Sequence, residues 1–123
     1  MGKIESFQQL DAWREAHRLV IMVYKATERF PDTERFGLVT QMRRAAVSIP
    51  ANIAEGFKRR SVRDKIHFYN IAEGSLEELK YYCILSRDLG YLSSKDDLLA
   101  QMEMVGKILN GLIASTERRR LPP

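Results

Sequence analysis

Apolar residues recur along this chain at steps of three and four, and no stretch alternates apolar with polar as a half-buried strand does. Side chains at i, i+3, i+4 and i+7 share one face of a helix, so this spacing commits the chain to an all-α fold. A first helix is predicted over about residues 7–29, opened by the capping-box pair Ser6 and Gln9. It carries two apolar lines, Leu10-Trp13-His17-Val20-Tyr24 and Ala12-Leu19-Met22-Ala26. The sequence Phe30-Pro31 turns the chain, because the residue before a proline disfavours helical geometry. The second helix is predicted over 33–57, with Leu38, Met42, Ala45, Ile49 and Ile53 as its core stripe. Pro50 lies inside that stripe; the stripe stays in phase beyond it, so a kink is expected there and not a break. The third helix, 62–89, starts at the Ser61/Asp64 pair, turns Val62, Ile66, Tyr69, Leu76, Leu79 and Cys83 to one apolar face, and stops at Gly90. The fourth, 95–118, starts at Ser94/Asp97 and follows Leu98, Met102, Val105, Leu109 and Leu112. Long helices with short connections give an antiparallel up-down-up-down four-helix bundle, a single domain spanning residues 1–123. The doubled apolar lines of helices one and three exceed what one bundle covers, which points to an oligomer.

Composition narrows the chemistry. One cysteine, Cys83, permits neither an internal disulfide nor a thiolate metal cage, and two histidines, His17 and His67, do not supply a His-rich one. The Glu-x-x-His units of di-iron bundles are missing; Asp64-Lys65-Ile66-His67 has the spacing once only. Cys83 reads as a small core residue, His17 as a core or interface residue, and His67 as a surface residue. Glu73 and Glu77 share a face and read as solvated carboxylates. No catalytic residue and no cofactor are expected, so the chain reads as a non-enzyme. No apolar run approaches the ~20 residues of a membrane span, and the start of the sequence has no apolar leader, so a cytoplasmic protein without membrane contact is expected.

The charge is uneven. Residues 1–61 carry eleven Lys/Arg against seven Asp/Glu, whereas residues 62–123 carry nine of each. Lys58, Arg59, Arg60, Arg63 and Lys65 crowd the link between helices two and three, with Phe57 among them for stacking. The cluster reads either as a phosphate-contact surface or as a solvated turn. Arg43, Lys58, Arg59, Arg60 and Arg63 are the candidate nucleic-acid contacts. Arg118–Arg120 sit at a helix C-terminus, where the dipole favours cations in any case. A second pattern runs beside the core stripe of helix two: Arg44, Ser48, Asn52, Glu55 and Arg59, at steps of four, four, three and four. Ser48 is expected to bond the carbonyl freed by Pro50, and Asn52 and Glu55 to meet Ser75 and Glu78 on helix three. Arg44, Ser48, Asn52, Glu55, Ser75 and Glu78 thus form either a closed structural network or a polar binding groove.

The run Gln41-Met42-Arg43-Arg44-Ala45-Ala46-Val47-Ser48-Ile49-Pro50-Ala51-Asn52-Ile53-Ala54-Glu55-Gly56-Phe57 closely resembles the signature of the bacterial 23S ribosomal RNA intervening-sequence proteins. Leu10-Asp11-Ala12-Trp13, the turn Phe30–Arg35 and Ala72-Glu73-Gly74-Ser75-Leu76 fit the same family, and the likeness covers roughly residues 7–115. The resemblance implies antiparallel four-helix bundles that assemble into ring-shaped homopentamers, and no established catalytic residues. It implies as well a distant kinship with the accessory protein of diversity-generating retroelements, a basic pentamer that binds nucleic acid and partners a reverse transcriptase. Two functions are compatible with all this: a non-enzymatic oligomer that contacts structured RNA, DNA or RNA–protein complexes, and a scaffold that engages a protein partner such as a polymerase.

Overall fold

The structure, a computed structural model, describes residues 3–119; the tail from Arg120 to Pro123 lies outside the described residues. Among these there is no strand. Four long helices make up the fold: α1 (Asp11–Thr27), α2 (Leu38–Lys58), α3 (Val62–Asp88) and α4 (Leu98–Arg118). One-turn 3-10 segments at Phe7–Gln9, Asp32–Glu34 and Ser94–Asp96 precede α1, α2 and α4.

Three helix starts differ from the expected ones, each because a short turn takes up the capping residues. The Ser6/Gln9 box forms, but it closes only the turn Phe7–Gln9. Leu10 is then extended (φ −77°, ψ 131°), so α1 begins at Asp11. The bend sets the Phe7 ring 5.2 Å from Trp13. Before α2, Glu34 reaches forward to accept from the Leu38 N–H at 3.3 Å. Gly37 is non-helical (φ −114°, ψ −105°), which moves the helix start to Leu38. Before α4, the capping box is Ser93 with Asp96, one residue earlier than the expected pair. Asp97 is left-handed (φ 50°), and α4 starts after it. Gly90 ends α3 at φ 82°, where a side chain would be strained.

Each helix packs on two others: α2 and α4 both touch α1 and α3. Leu19 and Val23 of α1, Met42, Ile49 and Ile53 of α2, Leu76 and Leu79 of α3, and Met102, Val105 and Leu109 of α4 fill one shared core. Each fully buried aliphatic side chain contributes about 1.5–3 kcal/mol. The core line of α1 is Ala12-Ala16-Leu19-Val23-Ala26; Trp13 and Tyr24 lie on its outer edge. His17, expected in the core or an interface, is exposed and stacks on Trp13 with ring centroids 5.0 Å apart and planes within 9°. α2 passes unbroken through Pro50, which is buried.

Side chains tie the helices at identifiable heights. Ser48 meets Ser75 at 2.8 Å, and the Ser86 hydroxyl donates to Met42 Sδ at 3.4 Å. The Gln101 amide donates to the Glu15 carbonyl at 2.9 Å. The loop after α1 and the loop after α3 meet at one end: Arg29 pairs with Asp96, the Tyr91 hydroxyl donates to Glu34 at 3.1 Å, and the Phe30 and Tyr91 rings lie 5.4 Å apart. No helix among the described residues is long and apolar enough to cross a membrane.

Candidate nucleic-acid interface

The link between α2 and α3 is only Arg59-Arg60-Ser61, and its shape is fixed from both sides. Arg59 is extended (φ −65°, ψ 153°), and its N–H donates to the Gly56 carbonyl at 3.2 Å. Ser61 caps α3 by accepting from the Asp64 N–H at 3.0 Å. Gly56 lets the two helices close: a Cβ there would stand 2.6 Å from the Tyr69 ring and 3.1 Å from the Lys65 carbonyl. Lys65 then reaches back from α3, and its ammonium donates to the Phe57 carbonyl at 2.7 Å and the Gly56 carbonyl at 3.4 Å. These are orphan carbonyls at the C-terminus of α2, where a cation also complements the helix dipole. Burial holds the Lys65 pKa below its ordinary value, and the nearby Arg119 pushes the same way.

The cations of the junction therefore divide. Lys65 is spent on backbone. Arg59 is pinned, with Glu55 2.9 Å away and the Phe68 ring 4.6 Å beneath its guanidinium. Lys58, Arg60 and Arg63 are exposed and form no ion pair among the described residues. A shallow hollow of about 350 Å³ opens between Lys58, Arg59 and Arg60, with Glu55 and Asp64 on its wall. Phe57 is not an open stacking platform: its ring is half-buried, and the Lys65 ammonium sits 5.4 Å from its centre. Arg43 does not join the cluster. Its guanidinium donates to Thr27 Oγ1 at 2.9 Å and to the Tyr24 carbonyl at 3.2 Å, and it lies 4.4 Å over the Tyr24 ring, so it caps the end of α1. Arg119, in contrast, is close enough to Lys65 and Tyr69 to influence both, which brings the end of α4 to the junction. Sequence spacing held no signal for that, because it depends on where α4 ends relative to α3.

The polar stripe of α2 is split as well. Asn52 donates to the Ser48 carbonyl at 2.8 Å and the Ser48 hydroxyl at 3.0 Å, and Ser48 meets Ser75. Ser48, not Asn52, thus reaches α3, and its hydroxyl goes to Ser75 instead of the carbonyl freed by Pro50. Glu55 turns to Arg59, four residues on along its own helix. Glu78 accepts from the Tyr82 hydroxyl at 2.7 Å on its own helix, and this bond, first among the causes, raises the Tyr82 pKa. Arg44 is exposed beside a hollow of about 480 Å³ shared with Tyr24, Thr40, Arg43, Val47 and Ser48. The six stripe residues therefore form one three-member bonded group, Ser48-Asn52-Ser75, with Arg44, Glu55 and Glu78 outside it.

Among the described residues no three His, Cys, Asp or Glu side chains are grouped to hold a metal ion. Burial pushes the Cys83 thiol up from 9.0 to about 11, which keeps it protonated and unreactive near neutral pH. His67 is exposed and meets Phe68 edge-on.

No curated protein matches this chain. Among solved structures, it is similar to a protein of unknown function from the S23 ribosomal protein family of Bacteroides thetaiotaomicron. The TM-score is 0.74 at 22% identity, over 83% of this chain and 97% of that one, and this likeness shows a shared fold. The family model of the 23S rRNA-intervening sequence proteins matches residues 8–111, and the chain belongs to that family.

Proposed function

We propose that this protein is a non-enzymatic, cytoplasmic, antiparallel four-helix bundle that assembles as a ring, a homopentamer, and binds structured RNA through the α2–α3 junction. One observation carries the reading: Lys58, Arg60 and Arg63 stand exposed and form no ion pair among the described residues, at a junction whose backbone is fixed by Gly56, Ser61 and Lys65. Cations held on a rigid turn contact phosphates at little cost in ordering entropy. The pairs Gly56–Tyr69, Ser48–Ser75 and Met42–Ser86 fall in reversed order along α2 and α3, as an antiparallel pair requires. Exposed Ile21, Tyr24 and Val47 lie on the α1–α2 side, where a neighbouring subunit would cover them. The same apolar side chains favour a second reading, a scaffold whose ring engages a protein partner without touching nucleic acid.

Salt dependence separates the two. Titration of a fluorescent structured RNA at several salt concentrations is expected to give an affinity that falls steeply with salt. Lys58→Gln, Arg60→Gln and Arg63→Gln together are expected to flatten the slope by about 2–3 units, at roughly 0.7–0.9 per phosphate contact. Light scattering checks that the assembly survives. Absence of RNA and DNA binding at low salt removes this reading and leaves the scaffold.

A further inference from the structure

The two ends of the bundle carry opposite charge. Residues 28–35 and 87–97, Arg87 lining one hollow with Asp96 and Asp97, hold six carboxylates and four cations, a net of −2. The loop contacts Arg29–Asp96, Tyr91–Glu34 and Phe30–Tyr91 bring these segments to one end. The Arg29–Asp96 pair leaves that net unchanged; Glu28, Asp32 and Asp88 are exposed and form no ion pair among the described residues, and the same holds for Arg35, Arg87 and Lys95. Residues 55–65 and 117–119 hold seven cations and three carboxylates, a net of +4. The Glu55–Arg59 pair leaves this net unchanged too, and Lys58, Arg60 and Arg63 remain exposed and form no ion pair among the described residues.

The 21 residues of α2 separate the two ends by about 30 Å, at 1.5 Å per residue. The Debye length at physiological ionic strength is about 8 Å, so an ion at one end barely feels the other. Each end therefore presents its own local sign to a polyanion, despite the overall charge of +4.

We infer that RNA docks on one end of the bundle only, the end built by the α2–α3 link and the close of α4, and that the opposite end repels it. The inference rests on the RNA-binding reading and adds an orientation to it. A ring whose subunits all point the same way would have one face that takes RNA and one that stays clear of it.

Site-specific photo-crosslinking tests the orientation. A photo-reactive phenylalanine derivative replaces either His67, exposed near the basic junction, or Phe36, which is 89% exposed beside the acidic loops. Labelled structured RNA is expected to crosslink from position 67 at least about tenfold more than from position 36. In the Glu28→Lys, Asp32→Lys, Asp88→Lys variant, crosslinking from position 36 is expected to rise toward that from position 67. Equal crosslinking from both positions in the unreversed protein overturns the inference and leaves RNA binding intact. So does a reversed variant that still binds RNA but gains nothing at position 36. Failure of the protein to bind RNA at low salt removes the RNA-binding reading itself, and the orientation with it.

Discussion

Replacing Gly56 by alanine isolates the contact that shapes the junction. In an open helix the change stabilises by about 0.8–1 kcal/mol, since glycine is the poorer helix former. At position 56 the new methyl would lie 2.6 and 2.8 Å from the Tyr69 Cε1 and Cδ1 atoms and 3.1 Å from the Lys65 carbonyl oxygen. None of the three can yield cheaply. Tyr69 is 2% exposed, so its ring is held on all sides, and the carbonyl belongs to the first turns of α3. The helices must separate, and overpacking of this kind costs about 1–3 kcal/mol. Set against the propensity gain, the net loss is about 0–2 kcal/mol. Gly74 and Gly111 are the internal controls, because a Cβ at either meets nothing within 4 Å. Gly74→Ala and Gly111→Ala are expected to gain about 0.5–1 kcal/mol. The assay is urea unfolding at one fixed protein concentration, because assembly couples stability to concentration. A Gly56→Ala protein as stable as Gly111→Ala would refute the close approach of α2 to α3 and the rigidity it gives the basic link.

Four other changes read other parts of the molecule. Lys65→Met removes two hydrogen bonds to the last carbonyls of α2 and is expected to cost about 1.5–3 kcal/mol by urea unfolding. Ser48→Ala strips a partner from both Ser75 and Asn52 and is expected to cost about 1 kcal/mol; with Ser75→Ala the loss should be less than additive in a double-mutant cycle. Pro50→Ala restores a helix donor but removes a buried ring, so calorimetry is expected to find a gain well below the ~3 kcal/mol that proline costs inside an ordinary helix. Cys83 predicts alkaline weakening: its folded pKa lies above the unfolded value, so its stabilising contribution is complete below pH 9.0 and is lost as pH rises through about 11. Tyr69, shifted upward chiefly by burial, adds to the decline in the same direction. Unfolding free energies from pH 8 to 11 should therefore fall less steeply in Cys83→Ala, and equal slopes would place the thiol in solvent.

How much of this was legible in the sequence depended on the range of the forces involved. The core stripes of α2 and α4 could be read directly: Leu38, Met42, Ala45, Ile49 and Ile53 are all buried, as are Leu98, Met102, Val105 and Leu109, with the last expected member, Leu112, half-buried. Burial of an amphipathic face is set by local periodicity alone. Helix starts were less legible, because Ser6 and Ser93 cap single turns that then bend away, and Asp32 opens a third such turn without capping it. A capping pair says that a turn begins and does not say how long it continues. Partner choice was the least legible. Arg43 and Arg59 read alike in sequence, yet one caps α1 over Tyr24 and the other lies on Phe68 beside Glu55. Lys65 looked equivalent to Lys58 until the reach to the α2 carbonyls was visible. These assignments depend on which helix lies opposite, and that is a property of the packed chain.

The division of labour among the cations follows from how the two bundle ends are built. At the end formed by the loops after α1 and α3, side chains reach across between loops, and charged groups such as Arg29, Glu34 and Asp96 are consumed in holding them. At the other end the link is only three residues long and needs little bracing. Its geometry comes from a missing side chain at Gly56, a serine cap and one ammonium directed inward. Backbone contacts and the Ser61 cap fix the link, so Arg60 on it and Lys58 and Arg63 on the flanking helix ends are left uncommitted. The same economy explains why the Lys65 pKa is lowered: the half-buried lysine gives up solvation to close the helix, whereas the Lys58 side chain stays exposed and open to a phosphate. Removing Lys65 should therefore weaken RNA binding through loss of order in the link, whereas removing Lys58 should do so through loss of a contact.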